Sequence, residues 1–578
     1  MSIADVSTVP LTRPAPERDR GRFDDTFYDL VESRFRRILG TNPTFATYVG
    51  IHTDDSRLGD GTRDAVLQEL ADERAHLASI EAIAPSELSA GVRLERDLEI
   101  HNLRLSIFDL DVHRLWERRS SAIDGLGDAL FLLFARDFAP LAERLAAISG
   151  RLEAVPRYLD EHRTRATRPQ VRLWQELELD SARDVPSLIG EIVAAGASLG
   201  GAERRRLEGA ADSARRSIED YAAWLRDSLN RAVDDWPLGR ERYDELVRLR
   251  AFDGLDADAI LEIGERQLAE NTAARAAAAR ELDPGADVLA VVERVKSAHP
   301  ATFEEALDGY RDAMLRARQH LVERGIVSVP DDERIAVIAT PEYLRNVFPF
   351  AAYFEPPKFD PGPGGIYIVT PSVGDDPNAM REHHWASISN TSIHEAYPGH
   401  HLQLTVSGRH PSLTRLLVDA PEFVEGWAMY SEQMMREQGF DDGPAFRLSM
   451  HTDAIWRACR IILDIRMHRA EMTVDEAIRF LVDQTRFEVA NARAEIHRYT
   501  HTPTYQLSYL LGKVLLLQLR ADEGRRLGSA FGLKAFHDAL LRNGSLPISF
   551  QRRILQAQAP GQDGTRPAKM AAVADGIT

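Results

Sequence analysis

Two short runs, Ile335-Ala336-Val337-Ile338-Ala339 and Gly365-Ile366-Tyr367-Ile368-Val369-Thr370, interrupt a sequence that elsewhere repeats with the period of a helix. Both are β-prone and bounded by Pro and Gly, which predicts strands of a small sheet. Upstream, from Phe23 to about Glu323, apolar residues recur at helical spacing, as in Leu94, Leu98, Leu105 and Phe108. Pro, Gly and Asp punctuate this stretch at Asn42-Pro43, Ala84-Pro85, Asp235-Trp236-Pro237 and Asp283-Pro284-Gly285. Downstream, helical patterning continues to about Ala557. The expected fold class is mainly α with one small β-sheet, and no fixed-period repeat suggests a solenoid.

Composition narrows the function classes. The apolar fraction of 44% and charged fraction of 28% over 578 residues are those of an ordinary globular protein. A formal net charge of −19 argues against nucleic acid or an anionic membrane as partner, because both are held by clustered Lys and Arg. The short basic run Arg204 to Arg206 reads as a solvated helix face. Cys459 is the one cysteine, so any metal site must use His and carboxylates. It lies in the apolar run Ile455 to Ile465, where an inert buried thiol is expected. Met1 to Arg22 has no apolar run of secretory length and no stretch of about eighteen apolar residues occurs, so the expected address is the cytoplasm.

The segment Ile393-His394-Glu395-Ala396-Tyr397-Pro398-Gly399-His400-His401-Leu402-Gln403 concentrates three of the chain's 18 histidines beside a carboxylate. Two His with one Glu is a common cysteine-free zinc set, and it leaves a fourth position for water. In a regular H-E-x-x-H helix the second ligand stands four residues after the first. Here that position is Pro398, which cannot ligate. His401, seven residues on, shares a face with His394 in an undistorted helix, whereas His400 suits a helix broken at Pro398-Gly399. Spacing alone leaves the two open. The run Ala420-Pro421-Glu422-Phe423-Val424-Glu425-Gly426-Trp427-Ala428-Met429-Tyr430-Ser431-Glu432 begins a second helix with Glu425 and Glu432 on one face. One can ligate while the other orients a histidine.

These two segments together resemble the bacterial family called domain of unknown function 885 (DUF885), itself similar to thimet-type oligopeptidases and angiotensin-converting enzyme. The likeness extends from Asn42-Pro43-Thr44-Phe45-Ala46-Thr47-Tyr48-Val49-Gly50 to Phe536-His537-Asp538-Ala539-Leu540-Leu541-Arg542-Asn543-Gly544-Ser545-Leu546-Pro547. The resemblance implies a two-lobed helical body with a deep channel and the small sheet beside the active site. It selects His394, His400 and Glu425 as zinc ligands, with His401 and Glu432 as alternates, and gives Glu395 the role of general base. The expected division is a disordered segment 1–21, a helical lobe 22–330, a catalytic lobe 331–557 and a flexible tail 558–578.

A peptidase transition state needs an oxyanion donor beyond the metal. Tyr505 and Tyr509 stand four apart in His501-Thr502-Pro503-Thr504-Tyr505-Gln506-Leu507-Ser508-Tyr509. Tyr509 is preferred because it matches the family's Leu-Ser-Tyr element, while Tyr505 departs from the family's usual smaller or amide residue. His468 continues the inward stripe of Ile455, Ala458, Ile462 and Ile465, as a core histidine or a catalytic one. The run Gly365 to Thr370 is a candidate edge for an extended peptide, and Arg498 and Lys513 are candidate receivers of a substrate carboxylate. The leading expectation is zinc-dependent hydrolysis of small peptide substrates. The alternatives are a zinc amide hydrolase acting on a non-peptide conjugate and a noncatalytic binding protein with a degraded site. Oligomeric state is not legible.

Overall fold

Four consecutive helices, Ala122–Ala135 (α1), Leu141–Arg163 (α2), Arg172–Ala195 (α3) and Gly201–Ser228 (α4), show how the repeat becomes a core. Leu145, Ile148, Leu152, Val155 and Leu159 of α2 follow the three-and-four spacing, and all are buried. They meet Leu207, Ala211, Ala214, Ile218 and Leu225 of α4, which repeat in the same way. Each fully buried Leu, Ile or Val among them contributes about 1.5–3 kcal/mol. The expected Leu98, Leu105 and Phe108 are likewise buried on the helix Ala90–Phe108. The computed structural model describes residues 11–341, 345, 348, 350–360, 362, 364–371 and 379–557.

The second and larger core gathers around helices Ala257–Leu282 (α5), Phe303–Arg324 (α6), Trp385–Glu395 (α7), His400–Ser407 (α8), Pro421–Glu437 (α9), Pro444–His468 (α10) and Ser508–Leu527 (α11). Its members run from Tyr243 to Leu555, so the expected lobe boundary at 330 does not separate cores. α5 and α6 pack with the C-terminal helices instead. The expected disordered segment divides: 1–10 lie outside the described residues, whereas Arg13 pairs with Asp29 and Glu32, and Glu17 accepts from the Gly91 amide. The tail 558–578 lies outside the described residues.

The sheet has three strands, Ile335–Ala339 (β1), Ala351–Phe354 (β2) and Gly365–Val369 (β3), in the order β1-β3-β2. β1 runs parallel to β3, with Val337 opposite Tyr367, and β2 runs antiparallel, with Tyr353 opposite Tyr367. Two of these are the expected strands; β2 escapes sequence reading because it is four residues long and half-buried at every position. β3 is central and paired on both sides, so it offers no free edge to a peptide, contrary to expectation. Alternation sends Tyr367 and Val369 into the larger core and Ile366 and Ile368 against the α1–α4 core. The central strand is therefore covered on both faces, whereas Ala336 and Ile338 of β1 are exposed.

Candidate metal centre

α7 ends at Glu395 for a local reason. Pro398 supplies no amide hydrogen and disfavours helical backbone at Tyr397, so the ladder cannot continue. The chain loops through residues 396–399 and re-enters a helix at His400. A Cβ on Gly399 would stand 1.8 Å from the His394 carbonyl oxygen and 2.3 Å from that of Ile393, so only glycine permits this return. Trp427 Nε1 donates to the Pro398 carbonyl at 2.7 Å and fastens the loop to α9.

The loop turns His400 toward His394: their rings meet edge to face with centroids 4.8 Å apart. Glu425 enters from α9, its Oε2 3.4 Å from His400 Nε2 and 3.6 Å from His394 Nε2. One ligand atom from each of the three residues lies within 4.8 Å of those of the others. Two ligands each roughly 2.0–2.1 Å from a tetrahedral zinc stand about 3.3–3.4 Å apart, so the Glu425 distances suit that ion. Glu425 Oε2 is buried and makes no hydrogen bond among the described residues, which would be costly without a cation to face. The donor set of two imidazoles and a carboxylate therefore fits zinc.

Neighbouring groups set the orientation. Glu432, seven residues after Glu425, pairs with His394 Nδ1 at 2.8 Å and leaves Nε2 for a metal. Asn390, one turn before His394, donates to Glu432 at 3.0 Å and to Asp453 of α10 at 3.2 Å. Burial opposes a charge on His394, but Glu425 and Glu432 outweigh it and raise this imidazole to about 10. Burial likewise opposes the charge of Glu425, and the two histidines hold its carboxyl well below the usual range. The cluster demands positive charge at its centre, as a proton or as a metal. Glu395 is 9% exposed and makes no hydrogen bond among the described residues; burial raises its pKa.

Of the alternates, Glu432 pairs with His394 Nδ1 and His401 turns away. His401 Nε2 lies 2.7 Å from Glu333 and Nδ1 lies 2.9 Å from the Tyr353 hydroxyl, so both ring nitrogens are engaged with the sheet side of the core. The break at 398–399 rotates the second helix, which is why the seven-residue spacing fails. Burial opposes the charge of Glu333, but hydrogen bonds from His401, Tyr397 and Arg318 hold it down at about 2.

The tyrosines correct the expectation in part. Tyr505, not Tyr509, reaches the cluster directly, its hydroxyl 3.2 Å from Glu425 Oε1, with the Tyr509 hydroxyl 3.4 Å behind it. The Glu425 charge and burial raise Tyr505 far above the ordinary phenol range, and burial with the same charge pushes Tyr509 up to about 12. Gly426 and Gly512 make this possible: a Cβ on Gly512 would meet the Glu422 carbonyl at 2.0 Å, so bare backbones let α9 and α11 touch. His468 is a core histidine. It is 1% exposed, its Nε2 engages the Tyr499 carbonyl at 3.0 Å, and its ring lies against Trp236 and Tyr243. Arg498 is already paired with Glu495 at 2.9 Å, and Lys513 is buried beside the crossing of α9 and α11. Asn390 was detectable as the residue one turn before His394; Asp453 carries no local signal.

Comparison with known proteins agrees with this architecture. Two solved structures superpose along most of their lengths. One, described as "a putative lipoprotein of unknown function from Shewanella oneidensis", has a TM-score of 0.75 and 23% identity over 92% of this chain and 99% of that one. The other, described as "the putative lipoprotein from Colwellia psychrerythraea", has a TM-score of 0.79 and 18% identity over 92% and 98%. These likenesses show a shared fold. No curated protein matches the chain. The family model described as "Bacterial protein of unknown function (DUF885)" matches residues 43–555, and the chain therefore belongs to the DUF885 family.

Proposed function

We propose that this protein is a zinc-dependent hydrolase that cleaves peptide bonds in short peptides, within a two-lobed metallopeptidase-like body whose channel leads to the cluster. The observation that carries the reading is the convergence of His394 Nε2 and His400 Nε2 on the buried Glu425 Oε2, at 3.6 and 3.4 Å, with no hydrogen bond to that oxygen among the described residues. When bound, zinc supplies Lewis acidity to the scissile carbonyl and acidity to the attacking water.

The chain's own groups do the rest. Glu395 follows His394 directly and has no competing partner among the described residues, so its carboxylate takes the proton of the attacking water and hands it to the leaving amine. Burial raises its pKa and so strengthens it as a base. Tyr505 and Tyr509 keep their protons at neutral pH and donate to the oxygen on which negative charge develops. Glu432 keeps His394 in the tautomer that presents Nε2.

Metal analysis of freshly purified protein should return about one zinc per chain, and Glu395→Gln should keep that zinc while cleavage of a peptide mixture falls at least about 100-fold. A protein without stoichiometric metal, or a Glu395→Gln variant with full turnover, ends the proposal. Zinc with no peptide cleavage favours an amide hydrolase acting on another conjugate. Both structural neighbours are described as lipoproteins. Cell fractionation decides the address.

A further inference from the structure

One face of α10 runs past the metal cluster. Asp453 meets Asn390 at 3.2 Å, and two turns along, Arg460 lies over the Tyr509 ring with its guanidinium carbon 4.6 Å from the centroid. Arg457 stands between them, one turn from Asp453. A chain of side chains links it to a ligand: Arg457, Asp453, Asn390, Glu432, His394.

The two arginines share one indole. Arg457 and Arg460 lie over Trp456, 4.0 and 4.1 Å from the ring centroid, and Trp456 Nε1 lies 3.3 Å from the Tyr499 hydroxyl. Their partners differ. Arg460 is matched by Glu495 at 3.0 Å and by the Tyr499 hydroxyl at 2.9 Å. Arg457 makes no hydrogen bond among the described residues. Its nearest acid is Asp453, 3.9 Å away and already engaged by Asn390, its Nε is buried without a partner, and its side chain is only 17% exposed.

A guanidinium stacked in place, mostly out of water and without hydrogen bonds is costly unless a ligand completes it. Its planar fork suits a carboxylate bidentately. Resting on the peptidase reading, we propose that Arg457 receives the free C-terminal carboxylate of the substrate, so that the site takes short peptides with a free C-terminus and cleaves near that end. Arg498, one of the two candidates from sequence, is already bonded to Glu495, whereas Arg457 has no such partner.

The test is binding, measured by calorimetry on zinc-loaded protein carrying Glu395→Gln so that nothing is cleaved. The probes are a degenerate N-acetylated tripeptide library as free acids and the same library as C-terminal amides. Free acids should bind about 10- to 100-fold more tightly. Adding Arg457→Gln should bring the acids down to the level of the amides, Arg457→Lys should recover part of the preference, and Arg498→Gln should leave it in place. Equal binding of the two libraries, no binding of either, or a preference that survives Arg457→Gln overturns the proposal. The peptidase reading fails separately. If the preference depends on Arg457 but wild-type protein neither holds zinc nor cleaves peptides, the carboxylate site stands without the reaction; cleavage without a preference is the converse.

Discussion

Replacing Gly399 by alanine should dismantle the proposed metal centre while leaving most of the fold intact. The new Cβ would stand 1.8 Å from the His394 carbonyl oxygen, where an ordinary carbon–oxygen contact is about 3.3 Å, so the overlap is about 1.5 Å. The opposing atoms are backbone carbonyls of the last turn of α7 and cannot swing aside as a side-chain end would. Either that turn or the loop 396–399 must shift by on the order of 1 Å, whereas metal–ligand distances tolerate only about 0.2 Å. Disturbing a residue that merely orients a ligand costs about 10- to 100-fold in metal affinity, so displacing a ligand should cost at least about 100-fold. The strain should also remove about 1–3 kcal/mol of stability. Zinc competition against a chromophoric chelator reads the first effect, and thermal melting of metal-free protein reads the second. Gly209→Ala, on α4 with nothing within 4 Å of the added carbon, is the control and should gain about 1 kcal/mol. A folded Gly399→Ala protein binding zinc within threefold of the wild type would refute the reasoning.

Glu432→Gln should weaken zinc binding about 10- to 100-fold in the same titration, because His394 Nδ1 loses its anionic partner; unaltered affinity would remove Glu432 from the site. Tyr505→Phe should lower kcat by about 10- to 100-fold with a smaller effect on KM, and Tyr509→Phe should cost less, since its hydroxyl stands behind that of Tyr505. The reverse ranking in steady-state kinetics would restore Tyr509 as the principal donor. Glu333 is held at about 2 in the folded protein against an ordinary 4.5, so its contribution is complete above pH 4.5 and is lost as the pH falls toward 2. Glu333→Gln should therefore melt at a lower temperature than wild type near neutrality, with the difference shrinking across that acid window; a constant gap from pH 6 to pH 3 would show that His401 does not depend on this charge.

Much of the site lay on the surface of the sequence. His394, Glu395, Glu425 and Glu432 were readable as candidates because local spacing gathers them: adjacency puts Glu395 beside His394, and seven residues return Glu425 and Glu432 to one helix face, while spacing left open which of those two carboxylates meets the histidine Nε2 atoms. The helical repeat and the β-prone runs 335–339 and 365–369 were readable for the same reason, since periodicity is a property of neighbours along the chain. The choice between His400 and His401 was not, because Pro398-Gly399 announces a break without giving the angle at which the next helix leaves. That angle is set by contacts distant in sequence: Trp427 on the Pro398 carbonyl, and Glu333 and Tyr353 on the two nitrogens of His401. Tyr505 reaches Glu425 where Gly426 and Gly512 bring two helices into backbone contact, and Glu495 bonds Arg460 while Arg457, one turn before it, makes no hydrogen bond among the described residues. The sequence by itself determined which helices form and which His and Glu side chains they offer, since backbone hydrogen bonding repeats over three or four residues. Tertiary structure alone decided where those helices cross and which polar atoms are left without partners, since that depends on packing between residues tens or hundreds of positions apart.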